Sequence, residues 1–474
     1  MLIFPIANPT LLVYYGFYIF SGGKMATDKN NLLEGSIARH MIRLALPSIG
    51  GMVGFVIFNV TDTYFVSALG TNALAAMGYT FPVVLIIGAV SSGISAGASS
   101  RLSRAKGAGD HHLMQRIATD GILLSLLGVF IFATIGLLTM DPLFTALGAN
   151  SETLPLVKQY MTIWYAMVVV VLTPPVCDSC MRASGDMFRP FIVMTIAAGV
   201  NTILDPLLIH GYWIFPKMGI RGAALATVIA RSMAMVATLF FASHHHHLIN
   251  FKYKSASELF SSWKSILSLG VPSIATQLMP QVLRTVITSL AAAAGGTAAV
   301  AALAAGTRIE SFPNIVSFGI GLSLIPIIGQ NWGARQYQRA FKAKKYAIGF
   351  AVAYGLFMFS LSLFFSKSVV RIFTGDAEVI RYSSYYLWIV LFSSAGFHIT
   401  NWMSTAFTTI GRPRFTFLIN VVGIGIIVIP LTILGNHLYG FIGMLFGLSI
   451  GQIIMGVCSV LLSRRYMQPS SMLL

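Results

Sequence analysis

The chain has 474 residues, 56% of them hydrophobic and 9% charged, with a mean hydropathy of +0.79 and a formal net charge of +17. Soluble domains carry about 25% charged residues, so a soluble fold is excluded and an integral membrane protein is implied. The excess Lys and Arg lie between apolar runs, not along one face, which points to anionic lipid and topology, not to nucleic acid.

Residues 1–24 hold an apolar run, Leu11 to Phe20, with Pro5 and Pro9 upstream. It has no basic residue before it and no small-residue cleavage site, and it is short for a span of about 20 residues. The segment is left unassigned, with Met25 as an alternative start. Twelve spans then follow at 42–66, 73–100, 118–140, 158–180, 190–211, 219–243, 265–291, 298–329, 344–366, 382–408, 414–435 and 440–463. With the N-terminus inside, the inner segments hold 22 basic residues and the outer ones 6, so both termini are expected in the cytoplasm.

The chain also repeats itself. Leu46-Pro47-Ser48-Ile49 returns as Val271-Pro272-Ser273-Ile274, and Gly93-Ile94 and Gly107-Ala108 return as Gly319-Ile320 and Gly333-Ala334. Six spans separate the copies, so the halves share an orientation and pair about an axis along the membrane normal. The expected fold is all-α, with about twelve transmembrane helices in two pseudo-symmetric six-helix bundles. The expected division is an N-terminal segment 1–40, a first lobe 41–243, a linker 244–263, a second lobe 264–465 and a tail 466–474.

The fifth span contains Asn201 and, four residues on, Asp205-Pro206. A carboxylate in mid-span costs about 2.5–3.5 kcal/mol and marks an ion or substrate path. Residues four apart share a helix face, and Pro206 frees the carbonyl of Thr202 and is expected to bend the helix. In the first span Asn59 and Asp62 are three apart, with Pro47 fifteen residues before Asp62. Thr227 adds a hydroxyl to the sixth span, which opens Gly219-Ile-Arg-Gly222-Ala-Ala-Leu-Ala-Thr227 with small residues suited to close helix contact. The prolines are repeated in the second half, whereas Asp205 falls opposite Ile429 and Asp62 opposite Ile287 or Thr288. Ion chemistry is therefore expected in the first bundle, and a larger share of substrate packing in the second.

These features are specific together. A first span of the form ALPS…DT followed by LGT and ALAA, Asn…Asp-Pro in the fifth and GIRGAALAT opening the sixth resemble the multidrug and toxic compound extrusion (MATE) family over roughly residues 35–465. The acids concentrated in the first bundle are similar to the DinF branch, and Glu310 in the eighth span departs from that pattern. The resemblance implies a MATE-type fold and a secondary active transporter, not an enzyme. It would expel amphipathic, often cationic, drugs or toxic organic compounds in exchange for H+ or Na+, with no cofactor beyond that ion. It further implies Asp62, Asn201, Asp205 and Thr227 as the cation or proton site, Pro47 as a bending point and either Tyr160 or Tyr165 as a supporting tyrosine. The protein is expected as a monomer in a bacterial-type inner membrane, with lipid and small molecules but no nucleic acid as partners.

Two carboxylates facing one low-dielectric pocket cannot both ionise cheaply, so at least one is expected to hold a proton near neutral pH. Met279, Phe312 and Phe318 are candidates for an adaptable cavity lining. Arg308 and Glu310, two apart, point differently and are read as ties between helices. Asp120 and Asp178 are read as interfacial, and His244-His245-His246-His247 as a solvated linker. Cys177-Asp-Ser-Cys180 lacks a second ligand pair, so no metal site is expected. The alternative function is a lipid-linked oligosaccharide flippase of related fold, disfavoured by the acidic path and by Arg231 being the lone mid-span cation of the first bundle. An intramembrane aspartyl protease would need Gly-x-Gly-Asp, and the nearest sequence is Ala183-Ser184-Gly185-Asp186. Without a Walker motif, ATP does not drive transport.

Overall fold

The computed structural model describes residues 31–251 and 256–468, so the apolar run at 11–20 lies outside the described residues. The first lobe consists of α1 (Ile37–Ser67), α2 (Thr71–Gly107), α3 (His111–Leu138), the short α4 (Met140–Ala146), α5 (Thr153–Ala166), α6 (Val169–Ala183), α7 (Phe188–His210) and α8 (Ile220–Phe240). A π-helical turn, Phe241–His245, ends α8. The second lobe consists of α9 (Ala256–Gly333), α10 (Tyr337–Arg371), α11 (Ala377–Thr409), α12 (Pro413–Phe417), two π-helical turns at Leu418–Val422 and Ile424–Val428, and α13 (Ile429–Tyr466).

Twelve spans emerge once three details are resolved. Helices α5 and α6 form one span bent by 49°. Pro174 and Pro175 in α6 remove two donors that would bond the carbonyls of Val170 and Val171, next to the bend. Helix α9 is two spans joined at Gly295 and Gly296, and α13 contains a second junction at Tyr439 and Gly440. Gly296 and Gly440 adopt φ near +58° with ψ near −145°, a region open only to glycine. Helix α11 is less apolar than its neighbours because it is interior: Ser383, Ser393, Thr400 and Ser404 are buried. Their hydroxyls are satisfied by carbonyls, Ser383 bonding Ala302 O at 3.3 Å and Thr400 bonding Gly396 O at 2.8 Å.

The lobes meet at the end that carries residues 31–35 and 463–468, through the repeated glycines. A Cβ on Gly93 would strike Ile274 and the carbonyl of Gly270, while one on Gly319 would strike Ile49 and the carbonyl of Ala45. Gly107 lies against Gln330 O and Gly333 against Arg104 O in the same reciprocal way. Each contact is thus made twice about the pseudo-two-fold axis. Hydrogen bonds reinforce this end: Ser100 Oγ donates to Thr408 O at 2.6 Å, and Gln330 Nε2 to Ala183 O at 2.9 Å. Away from it α1 exposes Val60 and Tyr64 and α9 exposes Val282 and Phe312. The lobes are shut at the terminal end.

Overpacking a close contact costs about 1–3 kcal/mol, which is roughly tenfold in a two-state population. Gly107→Val and Gly333→Val are therefore each expected to shift the protein away from this closed arrangement. A cysteine placed by Ser100→Cys reports it: maleimide labelling should accelerate about tenfold in either valine background, and unchanged labelling would contradict the packing role.

Candidate ion-binding site in the first lobe

Four helices converge inside the first lobe: α1 brings Asp62, α5 Tyr160, α7 Asn201 and Asp205, and α8 Thr227 and Arg231. Helix α7 packs on both α1 and α8 because small residues permit it. A side chain at Gly222 of α8 would meet the carbonyl of Leu208, and one at Gly50 of α1 the ring of Phe191. Asp62, Asn201, Asp205 and Thr227 are all buried, Asn201 and Asp205 completely.

The sequence placed Asn201 and Asp205 on one face, and the amide of Asn201 donates to Asp205 Oδ1 at 3.2 Å. The remaining atoms are short of partners. Asp62 Oδ1, Asn201 Oδ1, Asp205 Oδ2 and Thr227 Oγ1 are buried and make no hydrogen bond, nor does Arg231 Nε. Such groups are costly to bury unpaired and ask for an explanation. Asp62 lies within electrostatic reach of both Asp205 and Arg231, and Tyr160 within reach of all three. Arg231 also lies over the ring of Phe58, 5.4 Å from its centroid. Two carboxylates against one guanidinium leave a single unit of negative charge. Four hard oxygens and that charge can hold one proton or one monovalent cation.

Several expectations are corrected. Asn59 does not join Asp62: it is exposed, and its amide donates back to Phe55 O at 2.7 Å. Of the two tyrosines, Tyr160 is the one near the acids, while Tyr165 packs with its ring against Gly136 of α3. Pro206 lies within α7, which runs on to His210 and ends in the left-handed Gly211. Pro47 lies within α1, inside the interlobe contact made by Ala45 and Ile49. Arg231 is the member that sequence reasoning did not bring to the site, although its mid-span charge was the available signal.

A cavity of about 340 Å³ lies between the lobes, lined mainly by α9 and α11 with α2 and α6 opposite. Phe318 lines it, whereas Met279 and Phe312 do not. Its lining contains no carboxylate and one charged side chain, Arg182, and includes neither Asp62 nor Asp205.

Other charges serve the frame. Asp120 is fully buried beside Arg116, 3.8 Å away; Asp178 accepts from Thr238 at 3.1 Å. Glu310 ties two spans together, accepting from Tyr386 at 2.6 Å, and Arg308 is exposed. The histidine run is only partly solvated, since His246 Nε2 bonds Asp186 Oδ2 at 2.9 Å. Cys177 and Cys180 are buried free thiols, and no metal-holding cluster of His, Cys, Asp or Glu occurs among the described residues.

Comparison with known proteins places this geometry. The family model described as MatE matches residues 47–207 and 272–434, one stretch in each lobe. The chain belongs to the MATE family. The FAD transporter of Shewanella oneidensis is 32% identical, covering 93% of this chain and 98% of its own. The multidrug export protein MepA of Staphylococcus haemolyticus is 25% identical over 88% and 91%. Among solved structures, the Vibrio cholerae MATE transporter VcmN in the bent form superposes with a TM-score of 0.85 at 26% identity, covering 90% of this chain and 96% of that one. An outward-facing multidrug resistance MATE transporter gives 0.84 at 26%, over 93% and 98%. As a MATE protein the chain is a multi-pass membrane transporter and not an enzyme.

The loop between α6 and α7 gives a pH prediction. Burial alone would raise the Asp186 carboxyl, but the bonds from His246 and Arg189 outweigh it and hold the group well below the usual carboxylate range. A depressed carboxyl stabilises the fold fully above its unfolded value of about 3.9 and loses that contribution as the pH falls further. Asp186→Asn should therefore lower the melting temperature at pH 7, with the deficit shrinking below about pH 4. A deficit independent of pH, read by thermal unfolding in detergent, would contradict this.

Proposed function

We propose that this protein is a secondary antiporter of the bacterial inner membrane that exports small amphipathic organic compounds, drugs among them, in exchange for H+ or Na+. The observation that carries it is the set of four unpartnered buried oxygens on Asp62, Asn201, Asp205 and Thr227. One bound H+ or Na+ would neutralise the surplus negative charge. Both ions fit, because hard oxygens suit Na+ and a crowded carboxylate pair suits a proton. The basic residues concentrated between spans support a cytoplasmic position for both termini. On that topology the shut end faces the cytoplasm and the cavity opens outward. The concentration of acids in the first lobe supports the DinF branch.

Helix α1 links the two tasks. It carries Asp62 toward one end and touches Gly319 of the second lobe through Ala45 and Ile49 at the other. Pro47, between Ala45 and Ile49 within that contact, lacks the donor that would stiffen the turn. Changing the charge at Asp62 alters what holds α1 on α7, and Pro47 gives the helix a place to bend. The interlobe contact then loosens and access alternates. A second reading of the cargo, a flavin nucleotide, is favoured by the 32% identity to the FAD transporter along nearly the whole of both chains.

Inverted vesicles carrying a pH gradient test the reading. Ethidium should collapse the gradient in wild type, either directly or only after Na+ is added, and the response should disappear in Asp62→Asn and Asp205→Asn. Thr227→Ala and Asn201→Ala should retain transport with the apparent ion affinity weakened about 2- to 10-fold, the worth of one neutral hydrogen-bonding group. Wild-type responses in both Asp variants would sink the proposal.

A further inference from the structure

The cavity between the lobes has a chemistry that the ion site does not account for. Its lining is rich in hydroxyls and amides, contains no carboxylate and carries one charged side chain, Arg182 of α6. Arg182 makes no hydrogen bond or ion pair among the described residues. Its electrostatic neighbour is Asp178, one turn back on the same helix, which is engaged by Thr238 and does not line the cavity. Two lining hydroxyls are unsatisfied: Ser95 Oγ and Ser317 Oγ have no partner although the residues are only 8% and 3% exposed. They come from α2 and α9, one from each lobe. Two residues with unpartnered hydroxyls and a guanidinium without a direct hydrogen-bond acceptor thus line one cavity. On the same wall Phe318, 54% exposed, offers an apolar ring face. His398, buried and stacked on Trp402 at 5.9 Å, adds a ring nitrogen to the lining.

We infer that this cavity binds an organic anion of nucleotide type, its phosphate held by Arg182 with Ser95 and Ser317 as further donors and its planar ring against Phe318. A guanidinium suits a phosphate because its forked N–H groups match two oxygens at once. A cation there would meet the guanidinium of Arg182, while the neighbouring Asp178 is turned to Thr238 and does not line the cavity. The inference rests on the export reading for the direction of transport, but the binding step needs no gradient, so the two can fail separately.

The test is equilibrium binding to the purified full-length protein in nanodiscs, read by flavin fluorescence quenching. FMN and riboflavin share the ring and sugar chain and differ by the phosphate; ethidium serves as the cationic probe. FMN is expected to bind about tenfold more tightly than riboflavin, the scale of one charge-assisted contact, and that advantage should fall as salt rises. Arg182→Gln should erase the advantage while leaving riboflavin binding unchanged, and Arg182→Lys should keep part of it. Phe318→Ala should weaken both flavins alike. Should Arg182→Gln not fold, the salt dependence in wild type and the Arg182→Lys protein carry the decision. The inference is overturned if neither flavin binds, if FMN has no advantage over riboflavin, if the advantage is insensitive to salt or survives Arg182→Gln, or if ethidium is the tightest ligand.

Discussion

Two carboxylates and one guanidinium inside a membrane-spanning lobe cannot reach neutrality by themselves. Asp62 and Asp205 lie in electrostatic reach of each other, with Arg231 near Asp62, and four of the oxygens around them lack a partner. Burying such a group is expensive, and a fold that retains it has to recover the cost from a ligand or a change of state. Because Asp62 belongs to α1, the helix that also touches the second lobe, a single helix runs from this pocket to the interlobe contact.

The closure itself depends on small residues repeated at a spacing of 226. Gly93 and Gly319, and Gly107 and Gly333, each admit a backbone carbonyl from the opposite lobe where a methyl group would collide. The same contact made twice gives an interface that can form or release as a unit about the pseudo-two-fold axis. Against that symmetry the polar chemistry is unequal. Tyr160 faces the two aspartates, while its counterpart 226 residues later, Tyr386, donates to Glu310. The first lobe keeps unsatisfied oxygens where the second has closed a hydrogen bond between spans.

Much of this was legible in the chain. Carboxylates are so few in the apolar runs that Asp62 and Asp205 stand out, whereas Asn201 and Thr227 were brought to them by helix spacing and by the family resemblance, and the glycine repeat announced two equivalent bundles. Periodicity fixes which residues share a face, but not which way the face turns. Residues three apart on a helix differ by about 60°, and that was enough to bury Asp62 and leave Asn59 exposed. Tyr160 and Tyr165, five apart, lie on nearly opposite sides, so only the packing of α5 could choose between them. Arg231 was visible as a charge, but its nearness to Asp62 arises from the way α7 holds α1 and α8 together. Apolar residues facing lipid or a cavity have one composition, so the sequence could not separate Phe318, which lines the cavity, from Met279 and Phe312, which do not.

Whether the first-lobe pocket holds a single H+ or Na+ on its carboxylates can be read by infrared difference spectroscopy on the purified protein. A protonated-carboxyl band is expected that disappears as the pH is raised or as Na+ is added, and that is missing from Asp62→Asn or Asp205→Asn. A wild-type spectrum that shows neither such a band nor a carboxylate shift on addition of Na+, or a signal that persists unchanged in both variants, would contradict it.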